Sequence, residues 1–402
     1  MGRDTSLTFS SENKLLLLFS LVSLTSVQKD EARKLLADLP DLYPLLETAA
    51  RNYALPTVAR HLRDLDALPQ DADQRREIDE TLNRQGLHNL RMVHALSKFV
   101  AHCIEPAGID FVVFKGVTLA HQYYPDVGLR PCRDIDIAVR PEHLERLVRI
   151  AIEAGYILRA PNGRGGAITE ERDIRALMTY ARSAVLISSE GIAIDLQPGI
   201  DKFSGIFDGI DVLGNPHHLD LGGRHVPVLS DALVFNYLCH HHARHLWSKL
   251  HWITDIDAVL KSPGFDLAKS LQLADLLGQR GTVDGTLQLH ALASDPGSWR
   301  ENTDRAHAHG AQFLRLCLEN LAGDVALEKR IAMGMIGGEF MYPWQATPEL
   351  LQRARRNWLR AMLRPSFHQY QSLPLPRQLQ WLYYPSRLWQ LVFGGMARRF
   401  IP

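Results

Sequence analysis

The hydrophobic period changes twice along this 402-residue chain. That change limits the fold more than any single motif does. From Lys29 to about Val100 apolar residues recur at three- and four-residue spacing, as in Leu35, Leu36, Leu39, Leu42 and Leu45, which predicts helices. The polar stretch Asp71 to Glu77 precedes a long amphipathic helix through Ile78, Leu82, Leu90 and Leu96. After Pro106 and Gly108 the run Ile109–Phe114 is rich in β-formers, Val117–Tyr124 reads as a helix, and Asp134–Val139 alternates with a period of two. Pro141 and Glu142 open a helix that Gly155 stops. Ala184–Ser188 and Ile192–Gln197, joined by Ser189-Glu-Gly191, form a hairpin. From about Leu229 the helical pattern returns and holds almost to the end. The expected class is α/β (α+β): a small mixed sheet set between helical segments. Four regions follow, a helical segment 1–100, an α/β core 101–205, a helical domain 206–345 and a helical tail 346–402.

Composition narrows the class further. Hydrophobic residues at 46% and charged residues at 22% are globular proportions, which excludes disordered, collagenous and coiled-coil chains. Lys and Arg total 45 against 45 Asp and Glu, so the chain is not a uniformly basic nucleic-acid coat. Cys103, Cys132, Cys239 and Cys317 are far apart and form no CxxC, which indicates neither a disulfide framework nor a cysteine-rich zinc site. The apolar run Leu15–Leu24 is too short to span a bilayer. With Asp4 and Glu12 before it and no A-x-A site after it, it is a poor signal peptide and reads as a first core helix. Met1–Ser6 fits a loose myristoylation pattern that arises often by chance. The expectation is a cytoplasmic protein without a membrane span.

Chemistry concentrates in the α/β segment. Residues i and i+2 of a strand share a face, about 6.6 Å apart, so Asp134 and Asp136 project together while Ile135, Ile137 and Val139 face the core. Adjacent carboxylates repel unless a cation or a proton offsets them. Asp195 lies alone among apolar neighbours on its face of a later strand. Three aspartates on two strands suit one or two Mg²⁺ ions. The plainer alternative makes Asp134 a turn residue and Asp136 an edge-strand solubiliser. Lys115-Gly116 at the end of a strand suits a phosphate, since Gly admits close approach and a helix start follows. Arg130 adds a cation suited to phosphate oxygens.

These residues, in this order, resemble the uncharacterised bacterial nucleotidyltransferases of the polymerase-β-like superfamily. The matching blocks are Phe114-Lys-Gly-Val-Thr-Leu-Ala120, Tyr123-Tyr-Pro-Asp126, Leu129-Arg-Pro-Cys-Arg-Asp-Ile-Asp-Ile-Ala-Val139, Gly155-Tyr156, Ile194-Asp-Leu-Gln197 and the helical stretch Leu238–Asp257. The resemblance spans roughly residues 30 to 260. It implies that Asp134, Asp136 and Asp195 bind two catalytic Mg²⁺ ions and that Lys115, Gly116 and Arg130 contact the triphosphate of an NTP. The implied reaction moves an NMP to an acceptor hydroxyl and releases pyrophosphate. The acceptor could be a small molecule, peptide, protein or RNA. Three departures stand out: Val117 where the superfamily has Ser or Gly, Arg133 where a small residue is usual, and Gln197 where a His is usual. They motivate an alternative, the same fold as a catalytically degenerate binding module.

His240, His241, His242, His245 and His251 crowd twelve positions, with His241 and His245 one helical turn apart. That spacing suits Zn²⁺ and a zinc hydrolase, but neither H-E-x-x-H nor an H-D dipeptide is present. The plainer reading is a helix pair, with Trp247, Trp252, Asp255 and Asp257, in which imidazoles hydrogen-bond to acids. Within the resemblance, His241 and His245 become candidates for an acceptor pocket. Asn162–Gly166 fails G-x-G-x-x-G and reads as a loop. From Leu351 onward the chain carries nine arginines and no acid, interleaved with Trp358, Trp381, Tyr383, Tyr384 and Trp389. The first 350 residues therefore hold 36 basic against 45 acidic residues. Such a tail could stack on nucleic-acid bases, dock on an anionic membrane or hold a partner. It could also cover apolar surface and pair with acids elsewhere in the fold.

Overall fold

A computed structural model of the chain describes residues 10–160, 166–181, 183–201, 205–295, 308–321 and 340–389. The Met1–Ser6 pattern and most of the Asn162–Gly166 loop lie outside these residues. The chain divides into two compact units, neither continuous in sequence. One gathers residues 1–93, 115–133 and 229–351, and the other 94–114, 134–228 and 352–402.

The second unit holds a seven-stranded mixed sheet. Its strands are β1 (Phe111–Val113), β2 (Asp134–Val139), β3 (Ile157–Arg159), β4 (Ala184–Ile187), β5 (Ala193–Gln197), β6 (His217–Asp220) and β7 (His225–Val228), in the order β3-β4-β5-β2-β1-β7-β6. β2 runs parallel to β5 and antiparallel to β1, while β1 runs parallel to β7. The alternation in β2 puts Ile135, Ile137 and Val139 fully into the core, as its period required. The hairpin expected at Ala184–Gln197 forms as β4 and β5, closed by the turn through Ser188 and Gly191. The helix Pro141–Glu153 starts on its Pro and ends before Gly155 at φ 89°.

The sequence reading did not find β3, the helix Glu171–Tyr180 or the β6–β7 hairpin. β6 and β3 close the two edges of the sheet. β6 has the polar, exposed character that edge strands carry, so its periodic signal is weak.

The first unit is helical. Its first helix, Ser11–Leu18, is shorter than the apolar run suggested, yet Leu15 to Leu18 and Phe19 are all fully buried. Ser10 caps it by accepting from the Asn13 N–H, and Ser20 donates back to the Leu16 carbonyl at 2.7 Å. Beyond the helix, the Val22 N–H donates to the buried Asp257 carboxylate at 2.7 Å. Asp257 also meets His290 at 2.8 Å and Lys261 at 3.0 Å, so one acid ties the apolar N-terminal run to two helices. All four cysteines are buried, and none of them forms a disulfide. No described helix is long and apolar enough to cross a membrane.

Candidate active site

The residues singled out in the sequence fall into two groups, one in each compact unit. In the sheet unit, parallel pairing puts Asp136 of β2 directly opposite Asp195 of β5, and Asp134 opposite Ala193. Partners in register share a face, with strands about 4.8 Å apart. Asp134, Asp136 and Asp195 therefore occupy one face of two adjacent strands. Asp136 is fully buried, whereas Asp134 and Asp195 are half-buried. The Phe114 N–H donates to the Asp136 carbonyl at 3.3 Å, which fixes the end of β1 beside the same position.

Gln197, two residues after Asp195 and on the same face, is also buried. Its Nε2 donates to Asp136 Oδ1 at 2.8 Å and to Asp195 Oδ2 at 2.9 Å. One amide thus bridges the carboxylate pair. An imidazole at this place could carry a proton and offset the charge; a carboxamide supplies donors without charge. The sequence flagged Gln197 as a departure without indicating that it spans both acids.

The donor set suits Mg²⁺, because three carboxylates are hard oxygen ligands on rigid, register-fixed strands. Among the described residues no three His, Cys, Asp or Glu side chains gather tightly enough to cage a metal ion. Mg²⁺ seldom needs such a cage, since it binds through one or two carboxylates plus waters and substrate phosphates. On donor chemistry the residues fit.

In the helical unit, Lys115 and Gly116 lead into the helix Val117–Tyr123. Gly116 sits at φ 69°, ψ −125°, a conformation that side chains oppose, so this turn calls for glycine. Thr118 Oγ1 donates to the Lys115 carbonyl at 3.2 Å. Arg130 is buried, and its guanidinium is engaged. Nε and Nη2 donate to the two oxygens of Asp255 at 2.7 and 3.0 Å, and Nη1 donates to the Gly116 carbonyl at 3.2 Å. The Tyr124 hydroxyl adds a bond to Asp255 at 2.7 Å. Burial alone would push the Asp255 carboxyl up, but the Arg130 guanidinium and His242 hold it well below the usual carboxylate range. The pair braces the Lys115-Gly116 turn. Asp255 lies 125 positions from Arg130 in the chain, a separation that leaves no spacing signal.

The histidines line the helix Asp231–Arg244 and the turn after it. His241 and His245 lie 4.7 Å apart between ring centroids, and His242 stacks on Trp252 at 5.1 Å. The Tyr237 hydroxyl meets His241 Nδ1 at 3.3 Å, and Arg244 Nη2 meets His245 Nε2 at 3.0 Å. Burial pushes the imidazoles of His241, His242 and His245 down, that of His245 to about 3, and the Lys115 ammonium adds to each shift. These rings are neutral at neutral pH. Of the expected pairing of the clustered imidazoles with acids, His242 Nε2 lies 3.6 Å from Asp255, while Asp257 is met at 2.8 Å by His290, a histidine outside the cluster. Among the described residues no third ligand joins His241 and His245 to complete a zinc site.

A seven-stranded mixed sheet with carboxylates in register on parallel β2 and β5 makes this an α/β protein. A family model described as an uncharacterised nucleotidyltransferase matches residues 40–293, and the chain belongs to that family. No curated protein matches the chain.

Proposed function

We propose that the protein is a Mg²⁺-dependent nucleotidyltransferase that moves an NMP from an NTP to an acceptor hydroxyl. The in-register pairing of Asp136 with Asp195, with Asp134 on the same face, is the observation that carries this reading. In the reaction the acceptor oxygen forms a bond to the α-phosphorus in line with the leaving group. The bond from that phosphorus to the bridging oxygen breaks, and pyrophosphate departs. Bound Mg²⁺ would lower the pKa of the acceptor hydroxyl and offset charge on the pyrophosphate.

The protein's own residues would do the rest. Asp134, Asp136 and Asp195 are the metal ligands of this reading, and the half-buried Asp195 also orients the acceptor and takes its proton. Lys115 supplies positive charge to the triphosphate, and Gly116 lets the phosphates approach the backbone. Arg130 serves chiefly by holding that turn, since its guanidinium is engaged by Asp255 and the Gly116 carbonyl. His241 and His245, neutral and half-buried, are offered as the acceptor pocket. The acceptor itself is a hydroxyl on a small molecule, peptide, protein or RNA.

The test is transfer of label from each α-labelled NTP to acceptors in a cell extract. The Asp136→Ala variant should lose transfer while its circular dichroism matches the parent. Undiminished transfer by that variant overturns the proposal. A second reading, a binding module without chemistry, draws on the Gln197 amide that already bridges two of the three carboxylates. It predicts no carboxylate-dependent binding of Mg²⁺ and nucleotide by calorimetry.

A further inference from the structure

Of the fourteen large apolar side chains exposed among the described residues, eight lie between Leu359 and Trp389. This stretch is built, not frayed. Phe367, Tyr370 and Tyr383 are buried, and the Tyr370 hydroxyl donates to Asp173 at 2.6 Å. Tyr180 stacks on Tyr370 at 6.3 Å, and Tyr383 hydroxyl donates to the Leu373 carbonyl at 2.7 Å. Some aromatics anchor the segment on the helix Glu171–Tyr180, and others, Trp381 and Tyr384 among them, point out.

The helix Pro348–Leu363 shows how the outer face is composed. At 100° per residue, Leu359 and Leu363 lie opposite the buried Ala354. Arg355 flanks them on one side, and Arg356 and Arg360 on the other. Arg387 Nε donates to the Met362 carbonyl at 2.9 Å, which ties the chain before exposed Leu388 to the end of this helix. Arg355, Arg356, Arg360, Arg364 and Arg377 form no ion pair among the described residues, and no acid occurs after Glu349. The expectation that this tail's arginines pair with acids elsewhere in the fold is not met by those five.

We infer that this surface docks on an anionic lipid bilayer. Charge selects an anionic partner, because five of the segment's arginines have no ion pair among the described residues. The apolar residues select lipid over nucleic acid. Five of the eight exposed apolar side chains are leucines, which have no ring to stack on a base but insert among acyl chains. Trp381 and Tyr384 suit the headgroup level, where aromatic side chains concentrate, and the flanking arginines suit lipid phosphates. The attachment is peripheral, since no described helix can cross a membrane. It is independent of the nucleotide chemistry.

The full-length protein is floated with phosphatidylcholine vesicles made with and without phosphatidylglycerol, at low and high salt. It should float with the anionic vesicles alone, and less at high salt. Arg355→Gln/Arg356→Gln/Arg360→Gln should lower partitioning on the order of a hundredfold, at about fivefold per arginine. Leu359→Ser/Leu363→Ser should lower it about tenfold or more. All five positions are exposed, and circular dichroism checks that the variants fold. Failure to float with anionic vesicles overturns the inference. So does flotation that the leucine pair leaves unchanged, which would mark charge adsorption of the kind a nucleic acid also gives. Dissociation of a protein dimer by the leucine variant, without flotation of the parent, would assign the face to a second copy and likewise overturn it.

Discussion

A buried and a half-buried acid, Asp136 and Asp195, face each other across parallel strands and would repel, and at this site the Gln197 amide holds them together with bonds of 2.8 and 2.9 Å. Hydrogen bonds to charged acceptors contribute about 1.5–3 kcal/mol each at most. Gln197→Ala removes both and should therefore cost about 3 kcal/mol or more in urea denaturation without added metal. If Mg²⁺ takes over the amide's place, its addition should raise the melting temperature of the variant more than that of the parent. An equal shift in both would separate Gln197 from any metal site. The Arg130–Asp255 pair is a different case, because both groups are buried. Removing one partner strands a charge, so Arg130→Met should cost about 3–5 kcal/mol, whereas Arg130→Met/Asp255→Leu should cost less than Arg130→Met alone. A double variant no better than the single one would show that the Gly116 and Tyr124 contacts, not the charge pair, carry the stability. Asp134, Asp136 and Asp195 could be picked out because a period of two shows which residues share a face. The engagement of Arg130 could not, since Asp255 comes from a helix with its own unrelated pattern.

At the scale of elements, the helix Asp231–Arg244 and the turn beyond it bury several imidazoles in their neutral form. Burial pushes His245 and His251 down to about 3 from an ordinary value near 6.5. The unfolded chain binds protons at these positions below pH 6.5 and the folded chain does not, so stability must fall as pH drops from about 6.5 toward 3. Each such histidine contributes a slope of about 1.4 kcal/mol per pH unit in that window. His245→Gln should flatten the decline measured by chemical denaturation between pH 6.5 and 4.5; an unchanged slope would show that His245 titrates normally in the folded protein. The histidine crowding was plain in the sequence, and so was its ambiguity, since one-turn spacing serves zinc and packing alike. Packing with Trp252 and Tyr237 is what the helices provide. Strands were legible where apolar residues recur with a period of two, as in β2 and β5. They were not legible in β6, where exposed His217, His218 and Asp220 give no apolar period.

For the whole molecule, the change of period led to the α/β class with a mixed sheet between helical segments, while β6 and β7 extend that sheet beyond residue 205. The discontinuous compact units did not show in the sequence. A contact between residues a hundred or more positions apart leaves no mark on local composition, as Tyr123 with Asp231 at 2.7 Å illustrates. The neutral overall charge concealed an acidic body and a basic tail with an exposed apolar face. The chain belongs to a nucleotidyltransferase family, and the proposed metal-dependent chemistry rests on three carboxylates on one face of adjacent strands. Calorimetric titration of ATP into the protein with and without Mg²⁺, repeated with Asp136→Asn and Asp195→Asn, tests that claim most directly. The account predicts Mg²⁺-dependent binding by the parent, lost in both variants while their melting temperatures show them folded. Binding of equal affinity in parent and variants, or in the presence and absence of Mg²⁺, would contradict it.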